Sequence, residues 1–254
     1  MKLSLRPMAL AMLVCAVQSS CKKNDINSPK PSAKAQTELL GSPRIKYLLQ
    51  NGGTDTLKFY YNAQGNPDSI IRKVTSTGYP SYRFNYDANG RLTTFIAFYN
   101  EFYFEYAQKF FYSIPSYPVQ DSIYNFGFYY GNVLVPSSQS QFMTTNYFGD
   151  YLGRIKAIDR TIWIPGNPTT NHLDFNYNTA GNLTGYLTTD NNKNLKSLHR
   201  VWQLLSNDFS VNNGFIATSY NQQLPTAIPA LNGGDPAGDF IHGIWLGGAQ
   251  IIYE

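Results

Sequence analysis

The chain has 254 residues and a formal charge of +4, with 20 Lys and Arg against 16 Asp and Glu. Charged residues make up 14% of it and aromatics 15%, so the remaining polarity comes from Asn, Ser, Thr and Gly, a mix that suits pleated sheets and turns rather than helices. So small a positive balance excludes the electrostatic footprint of a nucleic-acid binder, and two cysteines exclude a disulfide-stapled scaffold.

The N-terminus reads as a targeting segment over residues 1–20. Lys2 and Arg6 form a basic start, and Met8 to Val17 is an apolar run too short to span a bilayer. Gln18-Ser19-Ser20-Cys21 follows. Small residues directly before a cysteine resemble the lipobox of bacterial lipoproteins, although Gln18 stands where Leu is usual. The resemblance implies that Cys21 becomes the acylated first residue of the mature chain and anchors it in a membrane. With Lys2, Arg6 and Cys15 removed, no disulfide, thiol nucleophile or thiolate metal site remains. Residues 21–37 are polar, carry Pro29 and Pro31, and predict a flexible tether.

The domain is predicted over 38–254. Ile45 to Leu49 reads as a first strand and Asn51-Gly52-Gly53 as its turn. A short phrase then occurs three times. It reads Phe59-Tyr60-Tyr61-Asn62-Ala63-Gln64-Gly65-Asn66, Phe84-Asn85-Tyr86-Asp87-Ala88-Asn89-Gly90-Arg91 and Phe175-Asn176-Tyr177-Asn178-Thr179-Ala180-Gly181-Asn182. The two aromatics lie two residues apart and share a strand face. Asn62, Asp87 and Asn178 suit the first position of a type I turn, where the side chain caps the backbone two residues on. Gly65, Gly90 and Gly181 fall where a longer hairpin loop needs positive φ. Calcium loops need several carboxylates at alternate positions, and these loops lack them.

Further along, Phe98 to Tyr106 predicts a strand with Phe102, Phe104 and Tyr106 on one face and Tyr99, Glu101, Tyr103 and Glu105 on the other. Tyr124, Phe126, Phe128 and Tyr130 are expected to share a face of the next strand. Tyr151-Leu152-Gly153-Arg154-Ile155 reads as a decayed copy of the phrase, and Tyr220-Asn221-Gln222-Gln223-Leu224 as another without its Gly. Leu195, Leu198, Trp202, Leu205 and Phe209 recur at helical spacing and predict one amphipathic helix over 194–206, with His199 off its apolar stripe and at the surface. The fold expected is all-β: an antiparallel meander of successive hairpins, about 12–16 strands in an open or half-barrel sheet, with one short helix.

The phrase resembles the YD repeat of Rhs-type proteins, and Tyr86-Asp87-Ala88-Asn89-Gly90-Arg91-Leu92 carries every fixed position of it. With the Cys-Lys-Lys start and the Pro-containing tether, the chain looks like the small envelope lipoproteins of Bacteroidota, and is similar in particular to a group with a porin-like fold. That resemblance implies a sheet wound from hairpins and a lipid-anchored place in the cell envelope, at the outer membrane. It implies no activity. Lys58, Arg72, Lys73, Arg83, Glu101 and Glu105 inside candidate strands argue against the lipid-facing bands of a membrane barrel.

Motifs for catalysis, cofactors or metals are missing from the sequence. There is no Gly-x-Ser-x-Gly elbow, phosphate loop or His-Glu-x-x-His. His172 and Asp174 share a strand face and read as a cross-strand contact rather than a metal site. Glu101 and Glu105 lie roughly 13 Å apart at strand rise, too far for a glycosidase pair. Tyr99, Tyr103, Tyr129 and Trp163 are the candidate platform on which a sugar ring or another flat apolar face would stack. The sequence therefore points to a non-enzymatic envelope module with a binding or structural role, its expected partner a glycan or an envelope protein, without cofactor or nucleic acid. The alternative is a glycan hydrolase with carboxylates drawn from different strands.

Overall fold

The computed structural model describes residues 43–130, 133–137, 142–185, 189–214, 217–230 and 239–254. The predicted signal peptide, Cys21 and the tether lie outside them. The strands are β1 (Ile45–Gln50), β2 (Asp55–Tyr61), β3 (Pro67–Arg72), β4 (Ser81–Tyr86), β5 (Leu92–Phe98), β6 (Tyr103–Phe111), β7 (Gln120–Tyr130), β8 (Val133–Pro136), β9 (Phe142–Gly149), β10 (Ile155–Trp163) and β11 (Thr169–Asp174). After the helical segment come β12 (Ser219–Asn221), β13 (Leu224–Ala227), β14 (Asp239–Ile241), β15 (Ile244–Trp245) and β16 (Gln250–Tyr253). Fourteen of them form one open antiparallel sheet in the order β11-β10-β9-β7-β6-β5-β4-β3-β2-β1-β16-β13-β12, with β8 pairing β7 alone. Strands β14 and β15 make a separate hairpin.

The order follows from the turns, because short loops make consecutive strands neighbours. The two ends of the domain are tied together where β16 pairs with β1. Arg44 and Glu254 exchange backbone hydrogen bonds of 3.1 and 2.9 Å, and their side chains form an ion pair at 3.1 Å.

Four turns share one construction. In each, the side-chain oxygen of the first residue accepts the backbone N–H four residues on: Asn62 from Asn66, Asp87 from Arg91, Asp150 from Arg154 and Asn178 from Asn182, all at 2.9–3.0 Å. The glycine three residues on donates back to the first residue's carbonyl in every case, and has φ of 74–83°. Only glycine adopts that conformation without strain. Where Arg ends the phrase, its guanidinium returns to the aspartate through Nε at 2.7 Å, in both Asp87–Arg91 and Asp150–Arg154. The turn at Asp150, which in sequence looks decayed, is therefore complete. The Tyr220 copy differs, being a two-residue hairpin loop with Gln222 and Gln223 at φ 49° and 68°.

One face of the sheet carries the main core. A 3-10 turn (Leu195–Leu198) and the helix α1 (Arg200–Ser206) lie across it beside the β14–β15 hairpin. Trp202, 1% exposed, meets Phe59 and Phe84 edge-on at 5.9 and 5.6 Å and tilts over Phe240 at 5.0 Å. The predicted single helix over 194–206 is in fact broken at His199, whose φ and ψ of −153° and 142° are extended. His199 is buried rather than at the surface: its Nδ1 caps the Val201 N–H at 3.1 Å, and its Nε2 lies 3.2 Å from Asn66 Oδ1.

A smaller core sits on the opposite face, built from Ile96, Phe104, Ala107 and Tyr129. Two expected alternations fail there. Residues 99–102 turn between β5 and β6 instead of continuing a strand, because Asn100 Oδ1 caps the N–H groups of Phe102 and Tyr103, both at 2.9 Å. Phe126 has φ 62°, which breaks the period of β7 and sends Phe128 to the other face from Tyr124. Residues 43–254 supply a main core of their own, gathered from strands along the chain from β1 to β16 and from the helical segment.

Candidate binding surfaces

The repeated turns project from one end of the sheet, and the helical segment meets them there. Between them lies a cavity of about 180 Å³, lined mainly by Arg91, Leu92, Tyr112, Tyr117, His199, Arg200 and Leu204. Arg91 stacks on Tyr112 at 4.7 Å and Arg200 on Phe209 at 4.4 Å. Arg200 also donates to the carbonyls of Ser116, at 2.9 Å, and Gly153. Burial holds the His199 imidazole down at about 4, so it is neutral at pH 7. Among the described residues no carboxylate lines the cavity. The arrangement ties loops together and offers no paired acid and base.

A buried polar cluster lies further along the main core. Asp121 is fully buried, and its Oδ2 accepts from Gln108 Nε2 at 2.6 Å and from the Tyr147 hydroxyl. Burial pushes the carboxyl up from its ordinary value, against the pull of the Tyr147, Gln108 and Thr145 side chains and of Arg160. Between the ordinary carboxylate pKa and this raised one, the folded chain keeps a proton that the unfolded chain releases. Stability therefore falls as pH rises through that window. Asp121→Asn keeps an acceptor for Tyr147 and Gln108 and removes the titration. It is expected to be more stable than wild type at pH 7 by about 1 kcal/mol, with the two converging toward pH 4. Urea melts across pH 4–8 check this, and a variant that stays less stable throughout would contradict it.

The four residues expected to form one aromatic platform are divided by the pleat. Tyr99 stacks on Tyr103 at 6.1 Å, and Tyr103 meets Phe128 at 4.8 Å. Tyr129, the next residue, points to the other face, where it is 8% exposed in the smaller core under the Arg83 guanidinium. Trp163 shares that second face. It belongs to a file of register partners crossing six strands, Arg83, Ile96, Ala107, Tyr124, Phe142 and Trp163. Within the file, Tyr124 and Phe142 stack at 5.2 Å, and Phe142 and Trp163 at 6.4 Å. Trp163 Nε1 donates to Thr144 Oγ1 at 3.1 Å, which fixes the indole, and the side chain is 48% exposed. Tyr124 was legible as an aromatic strand residue, and Phe142 was missed. The alignment of both with Trp163 depends on pairings across β7, β9 and β10 that the sequence does not state.

His172 makes the expected cross-strand contact. Its Nδ1 lies 2.5 Å from Asp159, its register partner on β10, and its Nε2 lies 3.2 Å from Asp174. Those hydrogen bonds, Asp159 first, raise the imidazole's pKa. Glu105 accepts the Gly78 N–H at 2.8 Å, and Glu101 is exposed in the β5–β6 turn. Among the described residues no group of His, Cys, Asp and Glu has the arrangement of a metal site, and no helix is long and apolar enough to cross a membrane.

No protein-family model matches the chain, and none of the curated proteins does. The fold and these surfaces are therefore what a functional reading rests on.

Proposed function

We propose that this protein is a non-enzymatic envelope lipoprotein, anchored through an acyl group on Cys21. Its β-domain binds a glycan or a similar ligand with a flat apolar face. The observation that carries the reading is the stacked file of Tyr124, Phe142 and Trp163. Stacked rings turn their faces toward one another, so what the file offers a ligand is the half-exposed indole of Trp163 at its end, on which the C–H face of a sugar ring can stack. The indole is held by Thr144, so little side-chain entropy is lost when a ligand settles on it. The cavity lined without carboxylates supports binding over hydrolysis, since glycoside cleavage needs two carboxyl groups flanking one bond.

The test has two parts. Mass spectrometry of the protein isolated from its native membrane is expected to find acyl chains on an N-terminal Cys21. A glycan array probed with residues 38–254 is expected to give hits that Trp163→Ala weakens about tenfold or more, the scale of one well-placed aromatic. Trp163 is half exposed, so its loss leaves the fold intact, and an unchanged circular dichroism spectrum is the control. A blank array, or binding indifferent to Trp163, would overturn the glycan reading.

A further inference from the structure

The end of the sheet opposite the repeated turns carries a second aromatic surface, on the other face from Trp163. Tyr99, Tyr103 and Phe128 form one stack and Phe102 lies 6.0 Å from Tyr130. Val133 and Val135 extend it, paired with Tyr130 and Phe128 across the β7–β8 arm. Phe102, Phe126, Tyr130, Val133 and Val135 are each 45–62% exposed. A contiguous patch of this kind on a soluble domain marks a contact surface. From Ser122 to Gly149 the chain has no Asp, Glu, Lys, Arg or His, in a protein that is 14% Asp, Glu, Lys and Arg.

We propose that this patch seats the domain on the lipid interface of the membrane that holds its anchor. That choice of occupant rests on acylation of Cys21. A charge-free stretch loses no ion hydration on entering the headgroup boundary. Phe and Val supply apolar area, and the Tyr rings suit the depth where a hydroxyl remains wet. Glu101 stands in the β5–β6 turn beside Phe102, where a carboxylate can stay in the aqueous headgroup layer. Reach permits the geometry. Pro43 enters at the end that carries the repeated turns, since Tyr61 there bonds the Ile45 carbonyl. The patch is one strand length along the sheet and five to six strands across it, roughly 40 Å in all. Residues 22–42 span up to about 70 Å when extended. An acyl anchor on such a tether also keeps the patch at high effective concentration near the bilayer, so a weak intrinsic affinity suffices.

The experiment uses residues 22–254, without acylation, and zwitterionic phosphatidylcholine vesicles in 0.5 M salt, so that Lys22 and Lys23 do not drive binding. Wild type is expected to float with the vesicles. The double variant Tyr130→Lys/Val133→Glu is expected to float at least tenfold less. Its two charges are register partners and can pair, which preserves the arm, and an unchanged thermal midpoint confirms it. Wild type that stays lipid-free, or a double variant that floats equally, overturns the proposal. So does a wild-type dimer that the double variant converts to monomer without vesicle binding, since the patch would then be covered by a second copy. Failure here with Cys21 found acylated removes only the patch. An unmodified Cys21 with vesicle binding intact removes only the anchor.

Discussion

Trp202→Ala is expected to lower the unfolding free energy by about 3–5 kcal/mol, a large share of a domain's usual margin. Trp202 sits where the helix, the β14–β15 hairpin and the sheet meet. It sits on a seven-residue helix, far below the length at which a helix is stable alone. Its indole touches Phe59 on β2, Phe84 on β4, Phe240 on β14 and the His199 ring on the helix cap. Deleting it leaves a cavity between the sheet and everything that covers it, and the neighbours are aromatic rings in a packed cluster that cannot collapse to fill the space. Trp202→Phe is expected to lose less than half as much. Trp163→Ala, removing a half-exposed indole, is expected to change stability by under about 1 kcal/mol. Urea denaturation of the three variants decides the matter. If Trp202→Ala cost under about 1.5 kcal/mol, the helical segment would be an attachment rather than the lid of the core.

The meander was legible because its signal is local. Asn62, Asp87 and Asn178 each close a turn with atoms drawn from five consecutive residues, so the phrase alone states the geometry. What stayed hidden depends on residues distant in sequence. His199 looked like a surface position of a helix, but Asn66 and the main core bury it, and its ring serves better as a cap than as a helical residue. The strand over Phe98 to Tyr106 had a convincing alternation, yet Asn100 captures two N–H groups and turns the chain. Phe126, at positive φ, is a bulky residue in a conformation that side chains rarely adopt. The next residue must be glycine, since a Cβ on residue 127 would lie 2.5 Å from Phe104 Cζ and from the Val135 carbonyl. The binding surfaces were half legible. Trp163 and Tyr103 were visible as exposed aromatics, but shifts of period at Glu105 in β6 and at Phe126 in β7, which also separate Phe104 from Tyr106, decide which aromatics share a face.

The same distinction between local and distant signals yields a second large effect, at Gly149. In three of the four turns the residue before the cap is a tyrosine, and its hydroxyl donates to a carbonyl near the start of an earlier strand. Tyr61 reaches Ile45 at 2.9 Å, Tyr86 reaches Pro67 at 2.6 Å and Tyr177 reaches Ile155 at 3.2 Å. In the fourth turn that position is Gly149. The ring of Tyr117, from the β6–β7 loop, occupies the space instead, with Cε1 only 2.1 Å from where a Cβ on residue 149 would stand. A loop residue has thus taken over the place of the repeat's own tyrosine. Gly149→Tyr alone is expected to cost about 3 kcal/mol, because two rings compete for one site. Tyr117→Ala alone is expected to cost about 2–3 kcal/mol by opening a cavity at the edge of the main core. The double variant Gly149→Tyr/Tyr117→Ala restores the phrase and refills the space, and is expected to lose under about 1.5 kcal/mol. The cycle therefore carries a favourable coupling of several kcal/mol, well above the few tenths found between independent sites. Thermal and urea melts of the four proteins measure it. Additive losses would mean that the two rings do not occupy equivalent space, and that the turn at Asp150 is held by its aspartate–arginine clamp alone.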